Sequence, residues 1–357
     1  MLNLDNQENI EKFDKGRILS SIRMLPEQIE QAWEEIKTLP TSENYRSSKN
    51  VLICGMGGSA LGGRIVDSLL NESVTLPIEI STDYAIPKYV NKNSLVIITS
   101  YSGNTEETIS ALKTAIVRNA NIFIICTGGK MAEMLKSKKL NGYIYEPKAN
   151  PSAQPRMALG YSIVSTIAIM SKYGFLKIND NDIYSLATTI RKFTREFDID
   201  SEEKNNIAKS YSQKIKNKIP VLITSEHLNG VAHAFKNQLN ENSKTFSVLF
   251  DLPELNHHLL EGLLFPKNIR ELLHFIFIKS ESFDARTIRR YKITQEVITK
   301  NGFNYEEYNF HSKNKLDQIF EFLTLSSFIS LYLAYLNGAD PSEIPWVDYF
   351  KKRLSGK

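Results

Sequence analysis

Two kinds of apolar pattern alternate along the chain. Runs of aliphatic and β-branched residues with few polar interruptions occur at Val51–Met56, Ile78–Ser81, Leu95–Thr99, Ile122–Thr127 and Tyr143–Glu146. Such runs suit strands of a parallel sheet that is covered on both faces. Helical segments fall between them, over Ala60–Leu70, in the stretch running to Leu112, and over Met131–Lys136. This rhythm predicts a doubly wound parallel sheet with right-handed crossovers. A second alternation follows, with strands at Val221–Ser225, Phe246–Phe250, Phe275–Lys279 and Tyr305–Phe310. Its helices are expected at Ala232–Asn240, Ala285–Lys300 and Leu316–Leu336. The chain therefore reads as two similar α/β halves, without a close sequence repeat.

The flanking segments carry helical spacing. Ile22, Leu25, Ile29, Trp33 and Ile36 mark a packing helix in residues 1–48, with Pro26 near its start. Pro40 and Thr41–Ser48 read as a linker. A proline-bearing connection, Pro147–Pro155, precedes a long helix over Met157–Tyr173. The polar stretch Lys177–Asn205, with helical segments around Ile183–Phe197 and Ile207–Lys216, reads as the hinge between the halves, and the tail from Pro341 holds a short helix. The expected organisation is an N-terminal helical segment (1–48), a first subdomain (49–176) and a second subdomain with a helical tail (177–357).

Charge narrows the partners. Lysine and arginine number 44 against 40 acidic residues, a formal net charge of +4. Basic runs are confined to Lys136–Lys139 and Lys351–Arg353, so nucleic acid is not an expected partner. The mild positive balance suits a small anionic substrate. Cys54 and Cys126 sit in apolar runs without metal-ligand spacing, as small core residues of a reducing compartment. The N-terminus lacks an apolar leader region, and no apolar run approaches ~20 residues. Neither a signal peptide nor a membrane span is expected, and the location is expected to be cytoplasmic.

Chemistry concentrates at two turns. In Leu95–Leu112, a strand runs into Ser100-Tyr-Ser-Gly-Asn-Thr105 and then into a helix. Asn104 with Glu107 three residues on forms a capping-box pattern. Hydroxyls and orphan backbone N–H groups at a helix N-terminus suit a phosphate, although an ordinary polar turn has the same composition. The earlier turn, Gly55-Met-Gly-Gly-Ser-Ala60, fits the loose dinucleotide pattern G-x-G-x-x-A, with Glu79 at about the expected distance. Two strand ends that both offer hydroxyls instead favour a compact pocket for one phosphate. Both turns fall at the carboxyl edge of the predicted sheet, where such folds bind ligands.

Four separated motifs carry a specific resemblance. They are Gly57-Gly58-Ser59 followed by Ser100–Thr105, then Pro155-Arg156-Met-Ala-Leu, then Asn240-Glu241-Asn242, and then Pro253-Glu-Leu-Asn-His257-His258. From Asn50 onward the chain resembles the sugar isomerase domain family, and within it the bifunctional phosphoglucose/phosphomannose isomerases. The resemblance implies two flavodoxin-like α/β subdomains with flanking helices. It also implies interconversion of glucose 6-phosphate or mannose 6-phosphate with fructose 6-phosphate. Gly57, Gly58, Ser59, Ser100, Ser102 and Thr105 would hold the phosphate. Glu241 would shuttle a proton between C1 and C2, Arg156 would stabilise the enediolate, and His257 would open the ring. Lys351 would assist ring opening, with Lys352 as its rival. A homodimer in which one chain's histidine serves its neighbour's pocket is implied, with no cofactor and no metal.

The reaction has matching needs: a carboxylate over an enediol, a cation near the developing oxyanion, a separate acid/base for the ring oxygen, and a remote phosphate grip. Each residue also has a plainer reading. Glu241 could be a solvated helix-end carboxylate, Arg156 a surface ion-pair partner, and Lys351 a tail charge. His227 and His233 read as structural. A non-catalytic phosphosugar sensor and an NAD-linked enzyme remain as alternatives from other classes.

Overall fold

The computed structural model describes residues 3–40, 42–71 and 73–354. Four helices lead: α1 (Gln7–Phe13), α2 (Ile18–Arg23), α3 (Leu25–Thr38) and α4 (Glu43–Arg46). The first α/β unit comprises β1 (Asn50–Cys54), α5 (Gly58–Leu70), β2 (Ile78–Ser81), β3 (Ser94–Ser100), α6 (Glu106–Val117), β4 (Asn121–Cys126), α7 (Gly129–Ser137) and β5 (Asn141–Ile144). Three helices follow, α8 (Leu159–Lys172), α9 (Asp180–Phe197) and α10 (Ile207–Ile215). The second unit comprises β6 (Ile219–Ser225), α11 (Asn229–Glu241), β7 (Val248–Leu252), α12 (Ile269–Leu272), β8 (Leu273–Lys279), α13 (Ala285–Lys300), β9 (Tyr305–Asn309), α14 (Lys315–Leu336) and α15 (Pro345–Leu354).

Both sheets are wholly parallel. The five-stranded one runs β2-β1-β3-β4-β5 and the four-stranded one β7-β6-β8-β9. The two have the same winding, so the expected pair of doubly wound α/β subdomains is present. Period-2 alternation splits the strand residues of the first sheet between two faces. Leu52, Cys54, Val96, Ile98, Ile124 and Cys126 pack with Ala111, Leu112 and Met131 of α6 and α7. Val51, Ile53, Leu95, Ile97, Phe123 and Ile125 join a larger core that includes α5, α8 and the second sheet. Both cysteines are free and buried, and burial pushes the Cys54 thiol up to about 12.

Several local expectations change under tertiary contacts. The stretch expected as a linker contains α4, whose Tyr45 is buried; Thr41 itself lies outside the described residues. The expected hinge contains α9, opened by an Asn179 capping box and burying Ile183, Leu186, Ile190 and Phe197. The helix expected within this stretch is thus present, and it packs against α3 and α14. The strand read at Phe246–Phe250 is β7, displaced to Val248–Leu252. Helix α14 is long and apolar enough to cross a membrane, which the absence of a long apolar run had not suggested. It is instead entirely buried within the protein. Its apolar residues continue around the whole cylinder, as befits a helix enclosed on all sides.

The N-terminal segment is fastened to the second unit by a buried cation. Lys209 is fully buried, with Nζ 3.0 Å from Asp5 Oδ1 and 3.0 Å from the Ile199 carbonyl oxygen. Removing one partner of such a pair leaves an uncompensated charge. Asp5→Ala is therefore expected to lower stability by about 3 kcal/mol in denaturant unfolding, with room-temperature activity retained. A change below about 0.5 kcal/mol, in the range of ordinary surface substitutions, would count against this role.

Candidate active site

Strands β1 and β3 are neighbours, and the winding reverses between them, which makes their carboxyl ends the switch point of the first sheet. The turn after β1 brings Gly57 to the surface at φ 49° and opens α5 at Gly58. Ser59 Oγ accepts a hydrogen bond from the Tyr101 N–H at 2.9 Å, joining the two turns. Ser100 ends β3 and is 1% exposed. Its Oγ lies 3.0 Å from Thr105 Oγ1 and accepts from the Gly103 N–H at 3.2 Å. Ser102 Oγ accepts from the Asn104 N–H at 3.3 Å. Ser59 and Ser102 thus act as acceptors within the turns and keep their O–H groups available to donate. Together with the first-turn N–H groups of α6, they form a donor-rich edge suited to a dianion.

Asn104 does not cap α6. The helix begins at Glu106, after Thr105, and has no side-chain cap. The Asn104 carboxamide instead donates to the Ser102 carbonyl at 3.2 Å and accepts from the Lys130 N–H at 3.1 Å, tying the turn to α7. The local capping preference gives way to this longer-range pair.

Arg156 stands in a single 3₁₀ turn, Pro155–Met157, just before α8. Its Nε donates to Asn242 Oδ1 at 2.5 Å. Nη1 reaches Gln154 Oε1 at 2.8 Å and Glu241 Oε2 at 3.3 Å, and Nη2 reaches the carbonyls of Pro341 at 2.9 Å and Ser342 at 3.1 Å. These contacts use the five donors of the guanidinium, which is 1% exposed. A Cβ on Gly58 would lie 2.8 Å from both the Arg156 nitrogen and the Pro155 carbonyl carbon. Only glycine allows the first hydroxyl turn to rest directly on the backbone that carries the cation.

Glu241 is the last residue of α11, and its side chain is 27% exposed. Burial raises its pKa above the ordinary carboxyl value, while the positive charges of Arg156, Lys351 and Lys244 pull it down. Burial also lowers the pKa of Arg156, which Glu241 and Asp348 oppose. Each partner therefore helps to keep the other ionised in a desolvated setting. Lys351 lies on α15, and its positive charge is one of those that lower the pKa of Glu241.

The site residues read from the sequence thus fall into one cluster and one outlier. The two turns, Arg156, Glu241 and Lys351 come together. His257 does not: it ends a short 3₁₀ turn beyond β7 and is exposed, and among the described residues no hydrogen bond joins it to Glu241 or Arg156. His227 is buried, with Nε2 2.8 Å from Gln318 Oε1, and burial lowers His233 to about 4. Both serve the packing. Sequence reasoning missed Gln154, Lys244 and the Pro341 and Ser342 carbonyls. Backbone acceptors leave no side-chain signature, and Gln154 stood in the proline-bearing connection without a recognisable partner. Among the described residues, no group of three His, Cys, Asp or Glu side chains could hold a metal ion.

The fold and these turns define the class: a protein of two sugar-isomerase (SIS) units. The SIS domain model matches residues 44–171, and the model for the bacterial phospho-glucose isomerase C-terminal SIS domain matches residues 204–354. Among solved structures, tagatose-6-phosphate ketose/aldose isomerase from Escherichia coli superposes with a TM-score of 0.69 at 14% identity, over 91% of this chain and 95% of that one. The C-terminal domain of glucosamine-fructose-6-phosphate aminotransferase from Francisella tularensis gives 0.68 at 16% identity, over 92% and 98%. These two likenesses concern the fold.

Sequence relatives are more specific. The bifunctional phosphoglucose/phosphomannose isomerase of Caldicellulosiruptor bescii is 31% identical, over 95% of this chain and 99% of the relative. That of Thermoplasma volcanium is also 31% identical, over 90% and 99%. The chain belongs to the family of bifunctional phosphoglucose/phosphomannose isomerases.

Proposed function

We propose that this aldose–ketose isomerase interconverts glucose 6-phosphate and mannose 6-phosphate with fructose 6-phosphate by moving one proton between C1 and C2, without a metal. One observation carries the reading: a partly exposed carboxylate, Glu241, lies 3.3 Å from a buried guanidinium whose backbone supports the first hydroxyl turn. The turns after β1 and β3 hold the phosphate and so position C1 and C2 at the carboxylate. Glu241 takes the proton from one carbon and returns it to the other on the same face. Arg156 acts on the enediolate through its charge, since its N–H groups are already engaged. Lys351 and His257 serve ring opening, and His257 comes from the second chain of a homodimer. A cytoplasmic location goes with this reading.

Two experiments test it. Purified protein is expected to turn over both hexose phosphates, with rates unchanged after exhaustive chelation. Binding without turnover would favour a sensor, and activity restored only by added metal would overturn the metal-free mechanism. In the second, Glu241→Gln and His257→Ala are each expected to be nearly inactive alone. If histidine crosses between chains, mixed and reassociated dimers regain about a quarter of wild-type activity, because half the dimers are mixed and each has one intact site. No recovery would place both residues in a site built from one chain.

A further inference from the structure

The segment that follows α11 wraps back over the end of that helix. Lys244 adopts a left-handed backbone conformation, with φ 55°, three residues beyond Glu241. Its Nζ donates to the carbonyls of Glu241 at 3.0 Å and Asn242 at 3.1 Å, and also to the carbonyl of Asp340. The first two are terminal carbonyls of the helix that carries the base, where a cation is favoured. The third belongs to the connector between α14 and α15. The next two residues of that connector, Pro341 and Ser342, give their carbonyls to Arg156 Nη2. A second tie runs in parallel, from Asn337 Nδ2 to the Ser243 carbonyl at 3.0 Å and to Thr245 Oγ1 at 3.1 Å. Helix α15, which carries Lys351, leaves from the same connector.

We infer that Lys244 is a positioning residue for the isomerisation: it clasps the end of α11 to the 340–342 connector and so sets the spacing between Glu241 and Arg156. The inference rests on the roles proposed above for those two residues. A helix-capping lysine would explain the first two contacts alone. The bond to Asp340 adds a tie between base and cation beyond the direct contacts of Arg156 with Glu241 and Asn242, because that connector also holds the guanidinium. Charge supports the geometry. Burial and the neighbouring Arg156 lower Lys244 to about 8, against the pull of Asp340, Glu343 and Glu241. The positive charge of Lys244 is in turn one of three that lower the pKa of Glu241.

The test is steady-state kinetics of Lys244→Met with fructose 6-phosphate across pH, alongside thermal unfolding. The expected result is a kcat lowered about tenfold or more, with KM within about twofold, since the phosphate turns lie on the other sheet. The acid limb of the kcat profile should move to higher pH, as Glu241 loses a neighbouring cation. Lys244→Arg, which keeps charge and donors, should recover most of kcat. A purely structural cap would lower the melting temperature and leave kcat of the folded enzyme at the wild-type level, although the limb would still move with the lost charge. If Lys244→Met does not fold, Lys244→Gln, whose shorter side chain cannot make all three carbonyl bonds, is expected to lower kcat in the same direction. Wild-type kcat at the pH optimum of whichever variant folds overturns the inference. The underlying reading fails separately, if Glu241→Gln is active.

Discussion

Glu241→Gln is expected to lower kcat about 10³-fold, while affinity for fructose 6-phosphate changes by less than about threefold. Glutamine matches the carboxylate in shape, and its amide oxygen can still accept from Arg156 Nη1, so the buried cation keeps its neighbour. What disappears is the ability to take a proton from carbon. Binding is expected to be retained because the proposed phosphate grip lies at the ends of β1 and β3, in a different unit from α11. The pH profile is the sharper check. Burial raises the carboxyl pKa more than Arg156, Lys351 and Lys244 lower it. The folded protein therefore holds this proton to higher pH than a free glutamate would. The ionised base is depleted as pH falls through that raised value, so the acid limb of kcat lies at higher pH than a free glutamate would give. Solvent-proton incorporation at C1 or C2, followed by mass spectrometry, should fall with kcat in the variant. Normal turnover would remove Glu241 as the base.

Gly103→Ala is expected to disable the second hydroxyl turn. Gly103 has φ +67°, and a Cβ there would lie 1.9 Å from the Gly128 carbonyl oxygen. The obstacle is backbone that opens α7, so no side-chain rotation relieves it. Left-handed strain and overpacking together should cost about 2–4 kcal/mol. The turn would have to move, carrying Ser102 and Thr105 away from the first turn and from the Asn104–Lys130 tie. KM for hexose phosphate should rise about tenfold or more, as one or more hydrogen bonds to a charged group are lost. Thermal unfolding and KM measured together check this; an unchanged melting temperature and KM would mean that the turn has room to relax.

Strand identity was legible in the first unit because β1, β3 and β4 are covered on both faces and so are apolar nearly throughout. At β7 the same reading slipped by two residues. That strand is at a sheet edge with only one of its five residues buried, and its weaker apolar pattern marks position poorly. The apparent capping box at Asn104 and Glu107 failed for a related reason. A local side-chain preference is small, and here the Lys130 backbone offered the carboxamide a different partner.

The sequence by itself determined the type of the strands and of the longer helices, and the placement of two glycine- and hydroxyl-rich turns at the strand ends, because periodicity and turn chemistry act over a few neighbouring residues. It also held the order of motifs that marks the family. Only the tertiary structure decided that Arg156 would be buried with its donors fully engaged, since its partners lie as far as 186 residues away in the chain. The same holds for the raised pKa of Glu241, the placing of the Lys351 charge near it, and the separation of His257 from the cluster. Desolvation and charge pairing depend on what packs around a group, and that is settled where α5, α8, α11 and α14 meet.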